Sequence, residues 1–137
     1  MVLVDTSVLV GFLRKTVNEK TVLFKEILQH GLPFGISPYT VQEVLQGARS
    51  KKAFSTLRQY LTSQKIYYLE HELKTFEQAA AVYFTLRRKG ITPRNSIDIL
   101  IALTAVKHNL FLLHDDSDFD YIATGVAGLK IYSGLNY

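Results

Sequence analysis

The chemistry in this chain lies in its carboxylates. From Leu110 to Asp120 the sequence reads LFLLHDDSDFD, which places Asp115, Asp116, Asp118 and Asp120 within six residues. Like charges this close repel and raise one another's pKa. A helix N-terminus relieves such a cluster by about 0.3–1 kcal/mol per favourable charge, and a divalent cation relieves it far more. Asp5 follows the apolar run Val2-Leu3-Val4 and reads either as a helix cap or as a ligand. Asp98 sits between Ile97 and Ile99, with no further charge until Lys107. A carboxylate in so apolar a segment must be paired, hydrogen-bonded or metal-bound. It therefore reads as a ligand or as a first-turn partner of the helix dipole. Glu43 lies opposite the apolar stripe of its segment; pattern alone makes it a solvated residue, on a face that could also line a cleft.

With no cysteine in the chain, any metal site is built from oxygen and nitrogen. Carboxylates select hard cations such as Mg²⁺ or Mn²⁺. A calcium loop does not fit D-S-D-F-D, because Tyr121 stands where that loop needs Gly and Ala127 where it needs Glu. The four histidines form no site of their own: His30 and His108 fall near helix ends, His71 precedes a helix, and His114 adjoins the acids, where it can steady a carboxylate. There is no Gly-rich phosphate loop and no nucleophile elbow.

The elements that must position these acids follow from periodicity. Short apolar runs predict strands at Val2–Val4, Phe34–Ile36, Lys65–Glu70, Leu110–Leu113 and Leu129–Tyr132. Between them, 3.6-residue spacing predicts helices. The first runs from Thr6 or Ser7, as cap, to Lys15, with Val8, Leu9, Phe12 and Leu13 inward. The second is capped by Asn18 and ended by Gly31, with Val22, Leu23, Ile27 and Leu28 on one side. Ser37 and Pro38 open the third as N-cap and N1, with Val41, Val44, Leu45 and Ala48 as its stripe. A basic helix from Ser50 turns Phe54, Leu57 and Leu61 inward. A long helix from Glu72 to Lys89 has Leu73, Phe76, Ala80, Tyr83 and Leu86 at helical spacing and closes on Gly90. Ser96 caps an all-round apolar, buried helix, and a short one runs from Ser117 to Thr124. This alternation predicts a three-layer α/β/α sandwich on a mainly parallel sheet, over 1–137 as a single domain. In such sheets ligands bind beyond the C-terminal strand ends, where Asp5 and the 115–118 acids fall.

Length 137, 47% apolar and 20% charged residues are those of an ordinary globular domain with a real core. The N-terminus has no basic stretch followed by a long apolar one, so no signal peptide is read, and no apolar run spans a membrane. The absence of cysteine suits a reducing cytoplasm, the expected location. A net charge of +4 hints at a polyanion partner, and acids gathered on a metal would leave the remaining surface more basic still.

Four blocks, VLVDTSVLVGFL, ISPYTVQEVLQG, RNSIDILIALTAV and LFLLHDDSDFDYIA, together resemble the PIN-domain ribonucleases. The nearest likeness is to the VapC toxins of type II toxin–antitoxin pairs, in block order and over nearly the whole chain. The resemblance implies metal-dependent endonucleolytic cleavage of RNA, usually transfer RNA, by a homodimer that a VapB-like antitoxin neutralises. Its four acids fall on Asp5, Glu43, Asp98 and Asp116, with Asp118 as a fifth metal ligand. Thr6 or Ser7 would support the site through hydroxyl hydrogen bonds. Asp115 would compete with Asp116 or add charge, and His114 stands where many members carry Thr. For Glu43 the resemblance supplies nearly all of the argument.

The sequence thus reads as a ribonuclease with one or two Mg²⁺ or Mn²⁺ ions, whose activated water attacks a phosphodiester in line without a covalent enzyme intermediate. Arg94, Arg14, Lys15, Arg87 and Arg88 are the leading RNA contacts, with Arg49, Lys51, Lys52 and Lys89 behind them. Two alternatives stand. One is a PIN-fold module that binds RNA or protein without cutting. The other is a phosphoacceptor domain using Asp5 or Asp116, which needs a lysine near the end of a late strand; Lys130 begins its strand instead.

Overall fold

The computed structural model describes residues 1–135. Its strands are β1 (Val2–Val4), β2 (Phe34–Ile36), β3 (Lys65–Ile66), β4 (Phe111–Leu113) and β5 (Lys130–Ile131). The helices are α1 (Thr6–Leu13), α2 (Glu19–Gln29), α3 (Pro38–Gln46), α4 (Lys51–Thr62), α5 (Leu73–Arg88), α6 (Ile97–Lys107) and α7 (Asp118–Ile122). The strands form one sheet in the order β3-β2-β1-β4-β5, every pairing parallel. Strand alternation divides the core in two. Val2, Val4 and Leu113 pack with Val8, Leu9, Phe24, Ile27, Val44 and Leu61 from α1 to α4. Leu3 and Leu112 pack on the other face with Leu86, Ile99, Ile101, Phe119 and Ile122 from α5 to α7. This is the three-layer sandwich the alternation predicts.

The strand order reverses direction at β1, whose first crossover leads to β2 on one side and whose other neighbour is β4. A crevice opens at such a switch point, beyond the C-terminal ends of the two strands. Asp5 follows β1 there, and Asp115 and Asp116 follow β4.

Several local expectations shift. Strand β3 is two residues, not six. Tyr67 still donates its amide to the Ile36 carbonyl at 2.9 Å, but Tyr68 turns to solvent and the ladder ends. The Tyr67 ring lies against Gly35, where a Cβ would come within 2.4 Å of it. On α2 the buried side is Phe24 and Ile27, leaving Val22 and Leu28 exposed. Leu13 of α1 and Phe54 of α4 are also exposed. The predicted stripe of α5 buries only Leu86; Leu73 is 75% exposed, and Phe76 and Phe84 are exposed too. Helix α6 fits its prediction, with Ile99, Ile101, Ala102, Leu103, Thr104 and Ala105 all buried. Among the described residues no helix is long and apolar enough to cross a membrane.

Candidate metal centre

Local chemistry at the C-terminal strand ends sets up the site. Asp5, not Thr6 or Ser7, caps α1: its Oδ2 accepts the Ser7 amide at 3.0 Å and the Ser7 hydroxyl at 2.6 Å. The other oxygen, Oδ1, is buried with no hydrogen-bond partner among the described residues. Ser96 makes no side-chain cap for α6; Asn95 Oδ1 accepts the Ile97 amide at 3.0 Å instead. That cap directs the first turn of α6, and with it Asp98, toward β1 and β4. After β4, Asp116 Oδ1 accepts the Asp118 amide at 2.9 Å and so starts α7.

These pieces enclose a pocket of about 350 Å³ lined by Asp5, Thr6, Ser7, Glu43, Arg94, Asn95, Asp98, Asp116 and Asp118. All five predicted metal ligands are brought together. Asp98, Asp116 and Asp118 each offer an oxygen within 4.8 Å of the others, a spacing one cation can bridge. The sequence pattern made Glu43 a solvated residue by default. It is instead half-buried, because α3 lies across α1 and Thr6 Oγ1 donates to Glu43 Oε1 at 2.8 Å. Thr40, fully buried and 3.1 Å from Thr6 Oγ1, completes this contact.

The electrostatics are those of an acid set held against its own repulsion. Asp5 is 3% exposed, and burial, then Glu43, push its pKa up against the Ser7 hydrogen bonds that lower it. Asp98, 7% exposed, is pushed up to about 7 by burial and then by Asp5, Asp116, Glu43 and Asp118. No hydrogen bond reaches its carboxylate among the described residues. An orphaned Asp5 oxygen and a desolvated Asp98 are costly in isolation. Both are what an oxygen-ligated hard cation would satisfy, and the donor set fits one.

The remaining predicted residues divide. His114 is buried; its Nδ1 accepts the Asp116 amide at 3.2 Å, and its Nε2 lies 3.4 Å from Asp120 Oδ1. Burial lowers its pKa, with Asp120 opposing. It fixes the acid loop without facing the pocket. Asp115 turns away: its carboxylate accepts from Asn18 Nδ2 at 3.2 Å, while its amide donates to the Ser7 hydroxyl oxygen at 2.9 Å. Its supporting contribution is thus through the backbone. Of the predicted basic residues, Arg94 alone lines the pocket among the described residues. Arg14 and Lys15 follow the end of α1, and Arg87 and Arg88 stand over the Tyr83 and Phe84 rings at 5.8 and 5.7 Å. Lys130 pairs with the first residue of β4, at the opposite end of the sheet, and bonds Asn109 at 2.8 Å. It lies at the wrong end to serve a phosphoacceptor pocket. Sequence reasoning missed Asn95 and Thr40. Asn95 carried a signal, since Asn caps helices as well as Ser does; Thr40 carried only its place three residues before Glu43, on the same helix face.

A parallel α/β sheet with an acid pocket at its switch point defines a class of α/β domain whose carboxylates could hold a cation, and the sequence narrows it. The profile described as PIN domain matches residues 2–125. The VapC ribonuclease Mb1587 of Mycobacterium bovis is 31% identical over 124 residues, which cover 90% of this chain and 92% of that protein. The chain belongs to the PIN-domain family, on its VapC branch. Solved structures agree on the fold. In VapBC2 from Rickettsia felis, bound to a promoter DNA fragment, the similar chain has a TM-score of 0.69 at 21% identity, covering 96% of this chain and 98% of that one. In VapBC-1 from nontypeable Haemophilus influenzae the values are 0.72 and 17%, covering 96% and 97%.

Proposed function

We propose that the chain is a Mg²⁺- or Mn²⁺-dependent endoribonuclease, the toxin of a VapBC-type pair, acting as one domain and as a homodimer in the cytoplasm. The observation that carries this reading is the pocket itself: five carboxylates face one space, and the buried Asp5 Oδ1 lacks a hydrogen-bond partner among the described residues. Asp98, Asp116 and Asp118 would hold the cation, with Asp5 and Glu43 completing the donor set for one or two ions. A divalent cation there supplies Lewis-acid activation of water and neutralises phosphate charge. Thr6 holds Glu43, Ser7 holds Asp5, and His114 holds the Asp116 loop. The basic surface, +4 overall with the acids gathered in one pocket, steers RNA toward it. VapC ribonucleases among its relatives support RNA as substrate, and VapBC complexes among its structural neighbours support an antitoxin partner. Transfer RNA is the substrate we expect first.

The test is cleavage of total small RNA by the purified chain, free of antitoxin, with Mn²⁺, Mg²⁺ or EDTA and with Asp98→Asn alongside. Discrete cuts that need metal and vanish in the variant support the nuclease and name the target. Metal binding without turnover, over a broad RNA set, moves the non-catalytic binding module ahead. Cutting by Asp98→Asn at the wild-type rate overturns the assigned site.

A further inference from the structure

Arg94 is the only basic side chain lining the acid pocket among the described residues. It is 74% exposed, yet it engages two carboxylates at once. Its Nη2 lies 3.1 Å from Asp116 Oδ1 and its Nε 3.0 Å from Asp118 Oδ2, and its backbone amide points to the same Oδ2 at 3.4 Å. Those two residues, with Asp98, are the trio whose oxygens lie within 4.8 Å of one another. Asp116 Oδ1 also accepts the Asp118 amide, so with Arg94 in place both of its lone pairs are committed. The guanidinium therefore occupies an oxygen on each of two carboxylates that a cation bridging the trio would draw on.

The two occupants are not equivalent. A guanidinium is a flat, singly charged fork that can bridge two carboxylates from outside. A Mg²⁺ or Mn²⁺ ion is compact and takes several oxygens at about 2.1 Å. It can reach the deeper Asp98, which receives no hydrogen bond from Arg94. Resting on the metal-dependent reading above, we infer that Arg94 is a resident counter-ion of the pocket that gives way when a divalent cation binds Asp98, Asp116 and Asp118. Metal loading and release of a guanidinium at the pocket mouth are then one exchange. An exposed ion pair is weakly held, so the exchange costs little. The released fork stays tethered beside Asn95 at the start of α6, with geometry suited to a phosphate oxygen. Metal affinity is lower than the bare carboxylates would give, and the phosphate contact is available only once the pocket is loaded.

A simpler role gives the opposite result. If Arg94 were only a strut tying the 93–96 turn to the 116–118 loop, removing it would loosen the donors and weaken metal binding. The test is Mn²⁺ affinity of the full chain by calorimetry, for wild type, Arg94→Gln and Arg94→Lys, with folding checked by melting in EDTA. Exchange predicts that Arg94→Gln binds Mn²⁺ about 3–10-fold more tightly, with Arg94→Lys between the two. It also predicts that the arginine Nε–H resonance missing from the Arg94→Gln spectrum moves in the wild type on Mg²⁺ addition, with the midpoint of Mg²⁺ binding. An unchanged or weakened Mn²⁺ affinity in Arg94→Gln, or a resonance that stays put at saturation, overturns the exchange and leaves the metal-dependent reading standing. Failure of Mn²⁺ to bind any of the three proteins overturns both.

Discussion

The two ends of the sheet are built on opposite terms. At the C-terminal end, beyond β1 and β4, five carboxylates crowd one pocket and two of them are nearly sealed from water. At the N-terminal end the charges are cations at the rim with aromatic neighbours: Lys130 stands 4.5 Å from the Phe111 ring centroid and Lys65 5.6 Å from that of Tyr67. Lys130 also donates to Asn109 Oδ1 at 2.8 Å, and Lys65 is exposed to solvent. One end is arranged for stability; the other holds repulsion that a ligand would relieve. The difference teaches where to cut: substitutions at the acid end should cost function and raise stability, and those at the other end should touch stability alone.

The largest expected effect is on catalysis. Asp98→Asn should lower RNA cleavage by about 100-fold or more, read as initial rate with saturating Mn²⁺, since losing a ligand exceeds the usual cost of losing a ligand's support. Next comes Gly35→Ala, away from the acids. A methyl there meets the Tyr67 ring and the Lys65 carbonyl at 2.4–2.6 Å, and overpacking of this kind costs about 1–3 kcal/mol. Denaturant unfolding should register it, while cleavage per folded molecule stays unchanged.

A pH dependence sharpens the contrast. Burial and the neighbouring carboxylates push the folded pKa of Asp98 up to about 7, from 3.8 for an unperturbed Asp. Between those values the folded state binds more protons than the unfolded one, so stability falls as pH rises through the window. Metal-free wild type should therefore melt lower at pH 8 than at pH 5. In EDTA, Asp98→Asn should melt above wild type at pH 8, with the gap closing toward pH 4. A wild type with a pH-independent melt would remove the stored repulsion on which the comparison rests. The smallest effect is expected of Lys130→Ala, which removes an exposed contact to Asn109 and Phe111. Its unfolding free energy should stay within about 0.5 kcal/mol of wild type, with cleavage unaltered.

What could be read from the sequence follows from how local each signal was. Asp98 stood out because one charge in an apolar helix is conspicuous without any knowledge of its neighbours. Asp5, Asp116 and Asp118 stood at strand ends, and parallel sheets place ligands there. Glu43 was invisible to pattern because its burial depends on α3 crossing α1 and on Thr6, a contact between residues far apart in the chain. Asp115 looked equal to Asp116, yet one residue of rotation sends it to Asn18 and the other into the pocket. The apolar spacing on α5 predicted the helix and left its burial open, since periodicity records which side is apolar and says nothing of whether anything covers it.

The place of β1 in the middle of the sheet has a consequence for the order of events during synthesis. It is made first, and its pairing with β2 needs only the next few dozen residues. Its other edge stays open until β4 is made, and the Ser7 hydroxyl meets the Asp115 amide across 108 residues of sequence. Closing so long a loop is slow compared with local pairing. Asp5 and Glu43 are therefore made well before Asp98, Asp116 and Asp118, the residues that complete their pocket. A chain still being translated holds only part of the carboxylate set, and the pocket cannot be complete until the segment after β4 has been made.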